Sequence, residues 1–171
     1  MDFLTMAQER YSVRSYSQAP VEEEKIEKIL KAAQYAPTAL NFQPQKIYMV
    51  KSPEAMEKLR FVCRYVKDAP MAALICYDMT KSWKHAPDKL DSGEMDCAIT
   101  ATHMMLEAWE QGVGTCFIRG YNNRDIIGMF NLPEHIKPVC ILAMGYPSEK
   151  SHPYAKMHGV YRELDEMVEE L

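Results

Sequence analysis

The stretch Arg10-Tyr11-Ser12-Val13-Arg14-Ser15-Tyr16 packs two guanidiniums and four hydroxyls into seven residues. Side chains of an extended segment alternate in direction, so Arg10, Ser12 and Arg14 share one face. Two guanidinium forks and a hydroxyl converging from one face suit a phosphate-bearing ligand. On chemistry alone, an exposed basic turn is the plainer alternative. A second stretch, Ala36-Pro37-Thr38-Ala39-Leu40-Asn41-Phe42-Gln43-Pro44, sets small, hydroxyl and amide side chains between prolines. A stiff loop with short side chains suits close approach to a flat heteroaromatic ring, although it would also serve as a plain helix-to-strand connection. The third stretch runs from Gly112 to Tyr121 and places Gly120 directly after an apolar run. Glycine at a strand end lets a backbone N–H approach a ligand with no side chain in the way.

Other site chemistries are set aside on the same grounds. Gly112-Val113-Gly114 is followed three places later by Phe117, and it succeeds a helical pattern where a dinucleotide loop succeeds a strand. Neither a P-loop nor a Gly-x-Ser-x-Gly elbow occurs. The histidines at 85, 103, 135, 152 and 158 form no i, i+4 pair, and the cysteines at 63, 76, 97, 116 and 140 form no Cys-x-x-Cys, so no metal site is expected. An odd number of cysteines in largely apolar runs reads as reduced thiols acting as small hydrophobes.

The elements that must position these stretches follow from periodicity. Residues 2–9 and 22–36 read as helices, the second with Ile26, Ile29, Leu30 and Ala33 on one face and Pro37 as its stop. Strands are expected at 46–50, 71–77, 115–118 and 139–144. Further helices are expected after Ser52-Pro53, over 94–111 and over 124–130, while the polar segment 81–93 reads as a loop able to cover a pocket. Leu164, Met167, Val168 and Leu171 form a stripe, so the tail is expected to be a helix in need of a partner surface.

A length of 171 residues, 47% apolar and 26% charged, fits one globular domain spanning 1–171. A net charge of −4 argues against nucleic acid as a partner. No apolar run reaches 18 residues and MDFLTMAQER has no secretory h-region, so neither a membrane span nor a leader is expected, and a cytoplasmic location is. Alternating helices and strands, taken alone, favour a parallel α/β sheet.

In this order and spacing, RYSVRSY, APTALNFQP, GVGTCFI and MGYP resemble the motifs of the FMN-dependent nitroreductase family over almost the whole chain. The resemblance implies an α+β fold with a mixed, mostly antiparallel sheet flanked by helices, and a homodimer with flavin at its interface. That expectation displaces the parallel sheet. By the same resemblance, Arg10 and Ser12 would hold the FMN phosphate and ribityl end, and Arg14 would sit at the pyrimidine edge. Pro37, Thr38, Ala39 and Asn41 would come from the second subunit, the Gly120 amide would face flavin N5, and Arg162 would reach the phosphate. Tyr11, Phe117 and Ile118 complete the expected cofactor-binding set, and the family's mid-chain contacts fall near Arg64 and Tyr65. No side-chain acid or base is required, because FMN carries the chemistry while Arg14 and the Gly120 backbone tune it. NAD(P)H is the implied donor and a nitroaromatic, quinone or conjugated carbonyl the implied acceptor, in ping-pong order. A non-catalytic flavin store or sensor and a same-fold reductive dehalogenase are the alternatives. Gln45 stands where many members place Trp, and Arg119 where some place Glu, which bears on the choice of acceptor.

Overall fold

A computed structural model describes residues 2–171. Five α-helices occupy Phe3–Glu9 (α1), Glu23–Tyr35 (α2), Pro53–Val62 (α3), Gly93–Glu110 (α4) and Asn123–Phe130 (α5). Strands occupy Gln45–Val50 (β1), Met71–Asp78 (β2), Lys84–His85 (β3), Leu90–Asp91 (β4), Gly114–Ile118 (β5) and Ile136–Gly145 (β6). The caps follow local chemistry. Asp2 accepts from the Thr5 N–H ahead of α1, Ser52 from the Ala55 N–H ahead of α3, and Asn122 from the Arg124 N–H ahead of α5.

The main sheet has the order β1-β2-β6-β5, and every paired strand in it is antiparallel. This corrects the parallel reading drawn from helix–strand alternation. A parallel crossover needs its helix to carry the chain back along the strand's length. Here α3 leaves the sheet and residues 63–70 return the chain to the end it left, so Val50 and Ala72 are partners at the close of β1 and the opening of β2. A parallel element does exist, a single bridge from Ser12 to Thr115 beside β5, and it makes the arrangement mixed.

Both sheet faces are covered. Val50, Leu74, Cys76, Ile141 and Ala143 pack against Met56 and Leu59 of α3 and Ile126 of α5. On the opposite face Ala73, Ile75, Leu142 and Met144 pack against Ile26, Ile29 and Ala33 of α2 and Cys97, Ala101 and Met104 of α4. β2 is buried throughout, which is why it reads as an unbroken apolar run. All five cysteines are free and buried. Burial pushes the Cys76 and Cys140 thiols up to about 12.

Two local expectations change. The segment 81–93 contains a small hairpin, with Lys84 opposite Asp91 and His85 opposite Leu90, closed by the His85–Asp88 contact at 2.7 Å. The tail is not the expected helix: it holds one 3₁₀ turn at Leu164–Glu166, and Leu164, Met167, Val168 and Leu171 stand in solvent. A short helix is marginal without a surface to pack its stripe on, and the single chain supplies none. Among the described residues no helix is long and apolar enough to cross a membrane.

Candidate functional site

The RYSVRSY segment lies extended along the free edge of β5. The Val13 N–H donates to the Thr115 carbonyl at 2.9 Å, and the buried Tyr16 hydroxyl donates to the Val13 carbonyl at 2.7 Å. Val13 is fully buried against Gly114, where any Cβ would lie 2.6 Å from a Val13 methyl. Once Val13 points inward, alternation turns Ser12 and Arg14 outward. Arg14 is exposed and donates only to the Ser12 carbonyl at 3.1 Å, while Arg10 is half-buried. A cleft of about 170 Å³ opens beside Ser12 and Arg14, with Lys150, Ser151 and His152 on its far side.

The electrostatics of this edge are read by Cys116. Burial raises its thiol, while Arg14, Lys67 and Arg10 pull in the opposite direction. Three cations therefore act on one buried point of β5. Lys67 was not among the residues singled out in the sequence. It follows the 3₁₀ turn Arg64–Val66 with a left-handed φ of 53°, and Arg60 fixes that turn by donating to the Lys67 and Ala69 carbonyls at 2.8 and 2.9 Å. Its only sequence signal is a polar turn between an amphipathic helix and a buried strand.

At the end of β5, Phe117 is partly exposed and Ile118 is buried, leaving only the Ile118 backbone to the site. Among the described residues nothing accepts the Gly120 N–H. The lack of a side chain at Gly120 also serves packing, since a Cβ there would lie 2.8 Å from the Tyr65 ring. Tyr11 departs from the expected set in its orientation. Its ring packs edge-on to Trp109 and its hydroxyl pairs with Ser151 at 3.1 Å, so it braces the segment from behind.

The Pro37–Asn41 stretch lies elsewhere. It leads into β1, the opposite edge of the sheet from β5, three strand spacings or about 14 Å away. Its conformation is strained, because Leu40, Asn41 and Gln43 all take left-handed φ values of 47°, 58° and 50°. The buried carboxylate of Asp96 accepts from the Ala39 N–H at 2.9 Å and from the Ser92 hydroxyl at 2.8 Å, and Thr38 Oγ1 accepts from the Gln43 N–H at 3.0 Å. Leu40 and Phe42 are thereby held out in solvent. Arg162 stands exposed in the tail with no hydrogen bond to Arg10 or Ser12. Among the described residues no three His, Cys, Asp or Glu side chains are grouped to hold a metal ion.

With that geometry in view, comparison with known proteins gives a consistent result. The profile of the nitroreductase family matches residues 7–65 and 62–146. A Methanothermobacter thermautotrophicus protein named "Putative NADH dehydrogenase/NAD(P)H nitroreductase" is 35% identical over 156 residues, covering 87% of this chain and 79% of the relative. The crystal structure of a nitroreductase family protein from Clostridium difficile 630 superimposes with a TM-score of 0.92 at 36% identity, covering 99% of this chain and 98% of that one. An FMN-dependent nitroreductase from Clostridium difficile R20291 superimposes with a TM-score of 0.72 at 25% identity, covering 94% and 98%.

Proposed function

The chain belongs to the nitroreductase family, and from that premise we propose that it binds FMN and passes electrons from NAD(P)H to a small flat acceptor in two successive half-reactions. The observation that carries this reading is the β5 edge. Ser12 pairs with Thr115 on β5, with Arg10 and Arg14 flanking it along the extended segment, and the Gly120 amide just beyond the strand meets no acceptor among the described residues. That donor set fits a ligand with a phosphate at one end and a flat ring at the other. The sequence similarity to a protein named for NADH and NAD(P)H, and the fold similarity to one named FMN-dependent, support the donor and the cofactor.

FMN, when bound, would supply the hydride chemistry that links NAD(P)H oxidation to two-electron reduction of the acceptor. The chain's own residues bind and orient. Arg10 and Ser12 hold the phosphate end, with Arg162 joining from the tail. Arg14 and Lys67 bring positive charge to the side where negative charge builds on reduction. The Gly120 N–H donates toward the reacting edge. Phe117 and the Ile118 backbone line the floor, and no side-chain acid or base is needed.

The second half of the site comes, in this reading, from a second copy of the chain. Pro37, Thr38, Ala39 and Asn41 cannot reach the β5 edge of their own sheet, and the tail exposes Tyr154, Met157, Val160, Tyr161, Leu164, Met167, Val168 and Leu171. An exposed apolar set of that size marks an interface.

The test is a purified protein. A yellow homodimer releasing about one FMN per subunit, and oxidising NAD(P)H with a quinone, is the expected result. Deleting residues 161–171 is expected to weaken both the dimer and FMN retention. Colourless protein that takes up no added FMN would falsify the cofactor assignment, and flavin loading without turnover would make the protein a store.

A further inference from the structure

Gly120 stands beside two guanidiniums that the chain leaves unneutralised. Arg119 precedes it, with its guanidinium carbon 5.5 Å from the centre of the Tyr121 ring and Nη1 3.5 Å from Asn123 Oδ1. Arg64 lies over the ring of Tyr65 at 5.0 Å and donates from Nη2 to the Tyr65 hydroxyl at 3.0 Å. Tyr65 is the ring that packs on Gly120. Both guanidiniums are exposed. Among the described residues every cation–carboxylate pair uses a lysine or His85, and none of the seven arginines joins one. The free arginines of the site therefore present most of their N–H donors to whatever enters. Stacking on a tyrosine face holds the planar fork in a defined orientation, as bidentate recognition of an oxyanion requires.

We infer that the acceptor is a flat molecule carrying a carboxylate, gripped by Arg119 and Arg64 as its reducible group lies against the Gly120 edge. The inference rests on the reading above that the Gly120 amide faces the flavin. Arg119 is covalently next to that amide, so the anion it grips belongs to the ring being reduced. The 2′-phosphate of NADPH lies at the far end of that molecule from its reacting carbon. An oxyanion on the acceptor also fits the local charge: Arg119 and Arg64 are exposed cations near Gly120 that are not assigned to the flavin phosphate.

The experiment uses the FMN-loaded protein. Binding of benzoate and of benzamide is read from the perturbed flavin absorption spectrum, and kcat/KM is measured for 4-nitrobenzoate and 4-nitrobenzyl alcohol with NADH and with NADPH. Benzoate is expected to bind about tenfold more tightly than benzamide at low salt, with the advantage shrinking in 0.5 M NaCl. Arg119→Glu and Arg64→Glu are each expected to cut the benzoate-to-benzamide affinity ratio, and the matching ratio of kcat/KM, by about tenfold. Equal binding of the two probes by the unaltered protein overturns the inference, as does a loss in Arg119→Glu that falls on NADPH rather than on the carboxylate. If the protein binds no FMN, the site reading and this inference fall together; if it is loaded and turns over the neutral acceptor in preference, this inference alone fails.

Discussion

The two edges of the sheet, assigned above to the two halves of the proposed site, are built by opposite means. Along β5 the Arg10–Arg14 segment is placed by ordinary extended pairing, with Val13 as a buried peg and Tyr16 as a strut, and the charged side chains are left free. Ahead of β1 the Thr38–Gln43 turn is placed by force, with three left-handed non-glycine residues pinned by the buried Asp96. The first edge stores charge and the second stores strain. Free charge serves a ligand that arrives from solution, whereas a rigid strained loop serves one that must meet a preset surface. Strain of this kind persists only where surrounding contacts over-determine it.

The β1 edge is most vulnerable at Asp96. Asp96→Ala leaves the Ala39 N–H and the Ser92 hydroxyl without their acceptor, and a loss of about 3 kcal/mol is expected in chemical denaturation. Flavin retention should fall with it as the loop relaxes. If stability drops by less than about 1 kcal/mol, the anchor is not what holds the loop.

Arg10→Ala tests the other edge, with the expected effect on affinity instead of folding. Loss of one charge-assisted contact should weaken FMN binding by about 10- to 150-fold, measured by fluorescence on flavin release, while the denaturation midpoint stays within about 0.5 kcal/mol. Arg14→Ala should instead act on the bound flavin, lowering its two-electron reduction potential by about 30 mV, since a cation favours the more negative reduced form. Potentiometry on FMN-saturated variants separates the two arginines. A shift produced by Arg10→Ala and absent from Arg14→Ala would mean that their roles are exchanged.

The smallest expected effect has the opposite sign. Leu40→Gly removes the penalty of a Cβ at a φ of 47°, so the variant should gain about 1 kcal/mol or lose nothing in denaturation while retaining flavin less well. A clear destabilisation would mean that Leu40 makes contacts in the assembled protein that outweigh its strain.

The sequence exposed the β5 edge better than the β1 edge. Arg10, Ser12 and Arg14 were legible because alternation is a local property, and Val13 confirms it by turning inward. Helices α2 and α4 and strand β2 were legible from period and apolar content. Strand direction was not, because periodicity is blind to whether residues 63–70 carry the chain across the sheet or back to the end it left. Lys67 was hidden for a similar reason, as was the packing of Tyr65 on Gly120, although the resemblance pointed to Arg64 and Tyr65: only the tertiary fold sets that turn against β5 and Gly120. The strain at Leu40 had no local sign, since leucine is an unfavourable residue for a left-handed turn and only Asp96, far along the chain, makes it hold. The tail stripe was read correctly as apolar and wrongly as helical, because amphipathic spacing marks a stripe without supplying the surface that a short helix must pack on.

If one flavin site takes its β5 edge from one copy and its strained loop from another, mixing of subunits will reveal it. Arg10→Ala chains are combined with chains in which residues 38–43 are replaced by a flexible glycine–serine loop, at an FMN concentration too low to load either variant on its own. Mixed dimers should then regain FMN at one site per dimer, because one site has both edges intact and the other has both altered. If every site lies within a single chain, each site in the mixed dimer still carries one defect, and an absence of regained FMN in verified mixed dimers would contradict the account.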